Sequence, residues 1–178
     1  MLFRSQSASR FTTKSTPQVQ AQLSYAQDGV KAWLGVKSQK FNSVTAGVSD
    51  FTMRGIEAGV SYTSGPLGAL VNIQGGKGLG ILSDGDQGDT KSKNYLAQLT
   101  YKTSDKLKLG AGYGMSQNDD NTAGTLGLKS NANLTLGAYY SLNSLITLVG
   151  EVGQTRSKAF GGATGHMNGV SLGGIIFF

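Results

Sequence analysis

The sequence predicts an all-β chain, built as a transmembrane antiparallel up-and-down β-barrel wall of about nine to eleven strands. Three observations carry this. The 178 residues hold 27 Gly, 2 Pro, no Cys and only 15% charged side chains, a make-up foreign to a soluble helical domain. No run approaches the roughly 18 to 20 apolar residues a spanning helix needs, and mean hydropathy is close to neutral at -0.16. A barrel with a wet interior produces that average, because its inward residues dilute its lipid-facing ones one for one. Finally, short alternating segments are joined by connections that are short and long in turn.

The clearest strand is Gly55 to Tyr62, where Ile56, Ala58, Val60 and Tyr62 alternate with Gly55, Glu57, Gly59 and Ser61. After Ser64-Gly65-Pro66 the chain sends Leu67, Ala69, Val71 and Ile73 to one side and Gly68, Leu70, Asn72 and Gln74 to the other, which reads as a hairpin. The unit recurs with Tyr95, Ala97, Leu99 and Tyr101, a turn at Thr103-Ser104-Asp105, and Leu107, Leu109, Ala111, Tyr113 and Met115. A third copy sets Ala132, Leu134, Leu136, Ala138 and Tyr140 outward, turns at Leu142-Asn143-Ser144 and returns through Ile146, Leu148 and Val152. The last strand carries Val170, Leu172, Gly174, Ile176 and Phe178.

Upstream of residue 55 the alternation is weaker. Val19, Ala21, Leu23 and Tyr25 precede Asp28-Gly29, and Val30, Ala32, Leu34 and Val36 alternate with Lys31, Trp33, Gly35 and Lys37, giving two strands and a tight hairpin. Residues 43–52 are expected to hold another strand, and Ser9 to Thr13 a further one before Thr16-Pro17. The whole chain, 1–178, reads as a single barrel domain, with regular hairpin repeats over 55–178. Met1-Leu2-Phe3-Arg4-Ser5 shows no secretory signal as written, which is expected of a processed chain or a fragment.

Short connections at 64–66, 103–105 and 142–144 alternate with long ones at about 75–92, 116–129 and 157–167, the rhythm of periplasmic turns and extracellular loops. Tyr62, Tyr101 and Tyr140 fall 39 residues apart and Phe178 follows 38 later, each closing a strand at the short-turn end. Aromatic rings at one height suit a headgroup girdle, where the ring is buried and its edge or hydroxyl stays wet. Propeller blades have a similar period, but the long and short loops and the terminal Phe favour the barrel.

The inward set is polar or small. Glu57, Asn72, Gln74, Gln98, Thr100, Lys108, Asn133, Thr135 and Glu151 are expected to line a pore, with glycines such as Gly59, Gly110 and Gly137 leaving room between them. Charges of both signs there argue against strong ion selectivity. The formal charge of +6 is spread over strand ends and turns, without the basic cluster that nucleic-acid binding requires.

Enzyme chemistry finds no footing. The single His166, expected in a solvated Gly-rich loop, offers no triad or metal cluster, and Glu57 and Glu151 lie on strands distant in sequence. Gly75-Gly76-Lys77-Gly78-Leu79-Gly80 lacks the Lys-Ser/Thr ending and the helix of a phosphate loop and reads as a flexible connection. Asp84, Asp86 and Asp89 lack the spacing and distal Glu of a calcium hand and are expected as solvated acids. No cofactor or metal is expected.

The segment Gly55-Ile56-Glu57-Ala58-Gly59-Val60-Ser61-Tyr62 with Gly65-Pro66-Leu67, and the ending Gly173-Gly174-Ile175-Ile176-Phe177-Phe178, resemble general diffusion porins of Gram-negative bacteria, and the likeness runs over about residues 8–178 as strand rhythm. The resemblance implies the C-terminal half of a barrel of about sixteen strands, set in outer-membrane lipid and lipopolysaccharide as a homotrimer and passing small hydrophilic solutes passively. It also implies that Phe178, with Ile176 before it, is the signal read by the barrel-assembly machinery. The chain is too short for a whole barrel of that kind, and the family's inward-folded constriction loop is expected in the other half, so no constriction residue is assigned. The alternative is a small closed outer-membrane barrel with a structural or surface-binding role carried by its loops.

Overall fold

A computed structural model describes residues 11–13, 17–44, 46–121 and 127–178. They form one antiparallel sheet of ten strand segments, with no helix among the described residues. The strands are β1 (Phe11–Thr13), β2 (Val19–Gln27), β3 (Val30–Ser43), β4 (Phe51–Ser64), β5 (Leu67–Lys77), β6 (Lys91–Lys102), β7 (Leu107–Asn118), β8 (Leu128–Ser141), β9 (Ile146–Ala159) and β10 (Thr164–Ile176). Of the first expected segment, Phe11–Thr13 is seen as β1, while Ser9, Arg10, Thr16 and the Met1–Ser5 terminus lie outside the described residues.

From β3 onward each strand pairs with the next. β1 and β2 lie end to end along the same edge of β3, with Thr13 opposite Phe41 and Val19 opposite Ser38. The ten segments therefore fill nine positions of a meander. Turn chemistry sets the tight ends. Asp28 and Gly29 both take positive φ, 48° and 79°, which matches the right-handed twist of the strands they join. At the β6–β7 and β8–β9 turns a side-chain oxygen takes up the free amides: Ser104 Oγ accepts from Lys106 and Leu107, and Asn143 Oδ1 from Leu145 and Ile146.

The register sorts the two faces along the central strands, with Trp33, Leu70 and Leu96 among the large apolar side chains that fall on the polar side. One row reads Tyr25, Ala32, Val60, Val71, Ala97, Tyr113, Leu134. A row three residues along reads Gln22, Gly35, Glu57, Gln74, Asn94, Ser116, Asn131, Ser157, Gly165 on the opposite face. Among the described residues no second layer covers the apolar face, and Leu34, Val71, Leu99, Leu134 and Leu172 all stand exposed on it. A sheet with an apolar face in water would have to bury it; lipid serves instead. On β6 the apolar band runs from Tyr101 to Tyr95, roughly 20 Å of strand.

Two boundaries differ from the expectation. Residues 157–167 form no long loop, since β9 continues to Ala159 and β10 begins at Thr164, leaving a four-residue turn at 160–163. Above the band the apolar face turns polar, with Gln154, Arg156 and Lys158 opposite Asn168, His166 and Thr164, so that both faces are hydrophilic and the strand looks like loop. His166 accordingly sits on β10 and not in a loop. Residues 43–52 are not a separate strand: β3 and β4 are simply longer, and a turn joins them.

Candidate functional site: the polar face of the sheet

All nine candidate wall residues, Glu57, Asn72, Gln74, Gln98, Thr100, Lys108, Asn133, Thr135 and Glu151, project from the polar face, as their register partners show. Several are tied to polar neighbours, across strands or along one. Asn94 donates to Gln74 at 2.9 Å, Asn133 to Thr155 at 2.8 Å, Thr135 to Asn133 at 2.7 Å and Ser157 to Asn131 at 2.8 Å. A polar lattice of this kind holds its own side chains in place while leaving their outer surfaces to water.

Lys108 and Glu151, which the sequence separates by two strands, meet through a residue that alternation alone did not single out. Tyr139 donates its hydroxyl to Glu151 Oε1 at 2.6 Å, and Lys108 Nζ stands 5.1 Å from the centre of its ring. The ring lies flat on the wall because Gly137 and Gly110 have no side chains beneath it: a Cβ at Gly137 would fall 2.8 Å from the Tyr139 hydroxyl. The signal was the Tyr139-Tyr140 pair, of which only one ring can face lipid. Gln98, Thr100, Asn133 and Thr135 join Tyr139 around a hollow of about 530 Å³ on this face. A second aromatic rests on a glycine higher up, where a Cβ at Gly59 would lie 2.1 Å from Trp33 Cζ2.

The connection between β5 and β6 is the largest departure from expectation. Gly75, Gly76 and Lys77 belong to β5, and the chain from Gly78 to Thr90 is a folded structure rather than a flexible loop. Gly78, Gly80, Gly85 and Gly88 all have positive φ. At Gly80 the backbone is also crowded, because a Cβ would sit 2.0 Å from Asp86 Oδ1. Gly78 N–H donates to Thr90 O and Gly85 N–H to Gly78 O, both at 2.8 Å. The three acids are employed separately: Asp86 accepts from the amides of Ile81 and Leu82, Asp84 pairs with Lys37 at 2.7 Å, and Asp89 with Lys77 at 2.8 Å. Among the described residues no group of three His, Asp or Glu could hold a metal.

This loop lies over the polar face. Leu79, 3% exposed, packs with Phe41, Phe51 and Met53 in the chain's hydrophobic cluster, and the two Phe rings stack at 5.2 Å. Phe41, Phe51 and Met53 share the parity of Lys37, Gly55 and Glu57 and therefore the polar face. Opposite them Ser38, Lys40, Thr52 and Arg54 occupy the outward positions. Beyond the lipid band the sheet has thus exchanged its faces.

Tyr62, Tyr101 and Tyr140 stand exposed on the apolar face, joined there by Tyr25, Tyr95 and Tyr113. Ile176 ends β10 on the apolar face opposite Ile146, and Phe178 lies past the strand, fully exposed.

Comparison with known proteins agrees with this architecture. The family model described as Gram-negative porin matches residues 4–159. The chain belongs to the Gram-negative porin family. Among solved structures, the outer-membrane channel DcaP of Acinetobacter baumannii superposes with a TM-score of 0.74 at 20% identity, over 94% of this chain and 53% of that one. The anion-selective porin of Comamonas acidovorans gives 0.70 at 18% identity over 90% of this chain and 49% of that one. OmpT of Vibrio cholerae gives 0.63 at 19%, covering 90% and 56%. This porin chain therefore spans about half the length of the structures it resembles. No curated protein matches the sequence. Membership of the family places the chain in the outer membrane, its apolar face toward lipid.

Proposed function

We propose that the chain forms about half the wall of a water-filled outer-membrane channel that passes small hydrophilic solutes and ions by diffusion, without catalysis. The observation carrying this reading is the row Gln22, Gly35, Glu57, Gln74, Asn94, Ser116, Asn131, Ser157, Gly165, which crosses all nine strand positions without one apolar side chain. A narrow barrel fills its centre with packed side chains, whereas a wide one leaves a glycine-rich, hydroxyl- and amide-bearing wall against water. Solute choice would then follow from bore and from Glu57, Lys108 and Glu151, with small uncharged hydrophilic molecules the easiest cargo.

The small closed barrel with a surface-binding role fits less well. β2 and β10 occupy the two edges and run in the same direction, so they cannot complete an antiparallel barrel with each other. Within the channel reading, part of the apolar face serves as the contact of a homotrimer, and Ile176 with Phe178 presents the chain to the barrel-assembly machinery. Single-channel recording of the folded chain in planar bilayers, beside its heat-modifiable mobility on a detergent gel, tests the proposal. Stable conductance steps are expected when the chain is refolded with a complementary segment of an odd number of outward-alternating strands that closes the sheet; a closed, heat-modifiable and electrically silent assembly would overturn the channel.

A further inference from the structure

We infer that loop 78–90 is a fixed inner rim of the channel and that its Lys37–Asp84 ion pair sets the charge preference of the passage at that level. The inference rests on the channel reading above. The row containing Lys37 is Gln20, Lys37, Gly55, Gly76, Ser92, Asn118, in which Lys37 carries the one charge. The loop brings a second charge to this row from outside the sheet: both carboxylate oxygens of Asp84 accept from Lys37 Nζ, at 2.7 and 2.9 Å. The two side chains keep 20% and 29% of their surface exposed, so a passing ion meets a balanced pair.

The acid is held there by packing and not by the ion pair alone. Leu79 enters the space that Gly55 leaves open, where a Cβ would fall 2.7 Å from Leu79 Cδ2. Gly85 rests on Phe41, where a Cβ would meet the ring at 2.7 Å. Met53 is wholly buried beneath. A seat this complete gives Asp84 a defined position, so removing either charge leaves the other fixed and unbalanced on the wall. Fixed charges at a constriction bias ion entry by their sign.

Lys77–Asp89 supplies the control. It links the loop to the outer face, since Lys77 alternates with Gly76 on β5, and it has no line to the passage. Two readouts test the inference on the whole chain folded in bilayers with the same closing segment. A zero-length carbodiimide should join Lys37 to Asp84 in a cross-linked peptide found by mass spectrometry and absent from Asp84→Asn. Under a KCl gradient, Asp84→Asn should move the reversal potential toward the anion limit and Lys37→Gln toward the cation limit. Lys77→Gln should leave it unchanged, and the exchanged pair Lys37→Asp with Asp84→Lys should return it toward the parent value. Failure to recover the cross-link from folded protein would show the loop unseated and overturn the inference. So would a seated loop whose two single variants share the parent's reversal potential. A parent chain that passes no current is a different failure, that of the channel reading, and the inference falls with it.

Discussion

Leu79→Ala gives the sharpest test of the loop's seat. Leu79 is 3% exposed and clusters with Phe41, Phe51 and Met53, so the substitution removes three buried carbon atoms from that cluster. At about 0.8 kcal/mol for each buried methylene the transfer loss is roughly 2.4 kcal/mol, and the residual cavity raises it to about 3 kcal/mol. The ion pair to Lys37 cannot make this up, because a pair still open to water contributes about 0 to 1 kcal/mol. The loop's local opening should therefore become about 100-fold more frequent, since each 1.4 kcal/mol is about tenfold. Amide hydrogen exchange reads this directly. Gly78 N–H and Gly85 N–H, hydrogen-bonded to Thr90 O and Gly78 O, should exchange about 100-fold faster than in the parent, while amides of the β4–β5 ladder such as Val60 keep their rates. Unchanged exchange at Gly78 and Gly85 would refute the claim that apolar packing seats the loop, and equal acceleration in β4 would show that the cluster supports the whole sheet instead.

Gly59→Val should lower the yield of folded, heat-modifiable protein, because its Cβ would collide with the Trp33 ring; overpacking of this sort costs about 1 to 3 kcal/mol, and adding Trp33→Ala should recover most of the yield. Tyr139→Phe removes the hydroxyl that Glu151 accepts and should cost about 1 kcal/mol, seen as a lower urea midpoint with an unchanged slope. Tyr101→Ser, on the exposed apolar face opposite Leu67, should reduce partitioning into bilayers without altering the sheet's amide exchange pattern.

The parts legible in the sequence were those in which a single physical rule acts alone. Along Ile56, Ala58, Val60 and Tyr62 the lipid and water faces alternate with period two and no loop covers the outward residues, so the segment and its two faces followed from spacing. Legibility ended where a second rule entered. Above the band the outward face no longer meets lipid, so Arg156, Lys158, His166 and Asn168 made strand look like loop. In the same zone Phe41, Phe51 and Met53 carry the apolar pattern on the opposite parity, because a returning loop covers them. That inversion of phase, together with Leu79 and Ile81 spaced two apart in a run of Gly and Asp, was the available signal of an inward loop. The Gly and Asp content of 78–90 pointed to flexibility, yet the glycines serve a tight fold and each acid has a partner. Composition records which conformations are open to a chain, and only the contacts decide how many are used. The Lys108–Tyr139–Glu151 contact was beyond reach for a simpler reason, since it depends on the stagger between β7, β8 and β9.

The same stagger leads to a prediction about the sheet's edges. Counting from β2 to β10 gives nine antiparallel positions, an odd number, so both edge strands run toward the short-turn end. A second copy inserted in the same orientation offers the same direction at each edge. Neither self-closure nor a head-to-tail dimer can then pair every edge amide in antiparallel fashion. A sheet that does so must begin and end with strands of the opposite direction, and must itself have an odd number of them. Without it, the outer amides and carbonyls of β2 and β10 would face hydrocarbon, each unsatisfied group costing several kcal/mol. Cysteines at Leu23 on β2 and Leu172 on β10, both exposed on the apolar face, report on the matter. On oxidation of the bilayer-folded chain, a disulfide between them is expected neither within one chain nor between two. A complementary segment with an odd number of outward-alternating strands, refolded together with the chain, should protect the edge amides of both β2 and β10 from exchange, and one with an even number should leave one of the two edges unprotected. A Leu23–Leu172 disulfide formed in high yield would mean that a parallel seam closes the wall, and the parity argument would be wrong.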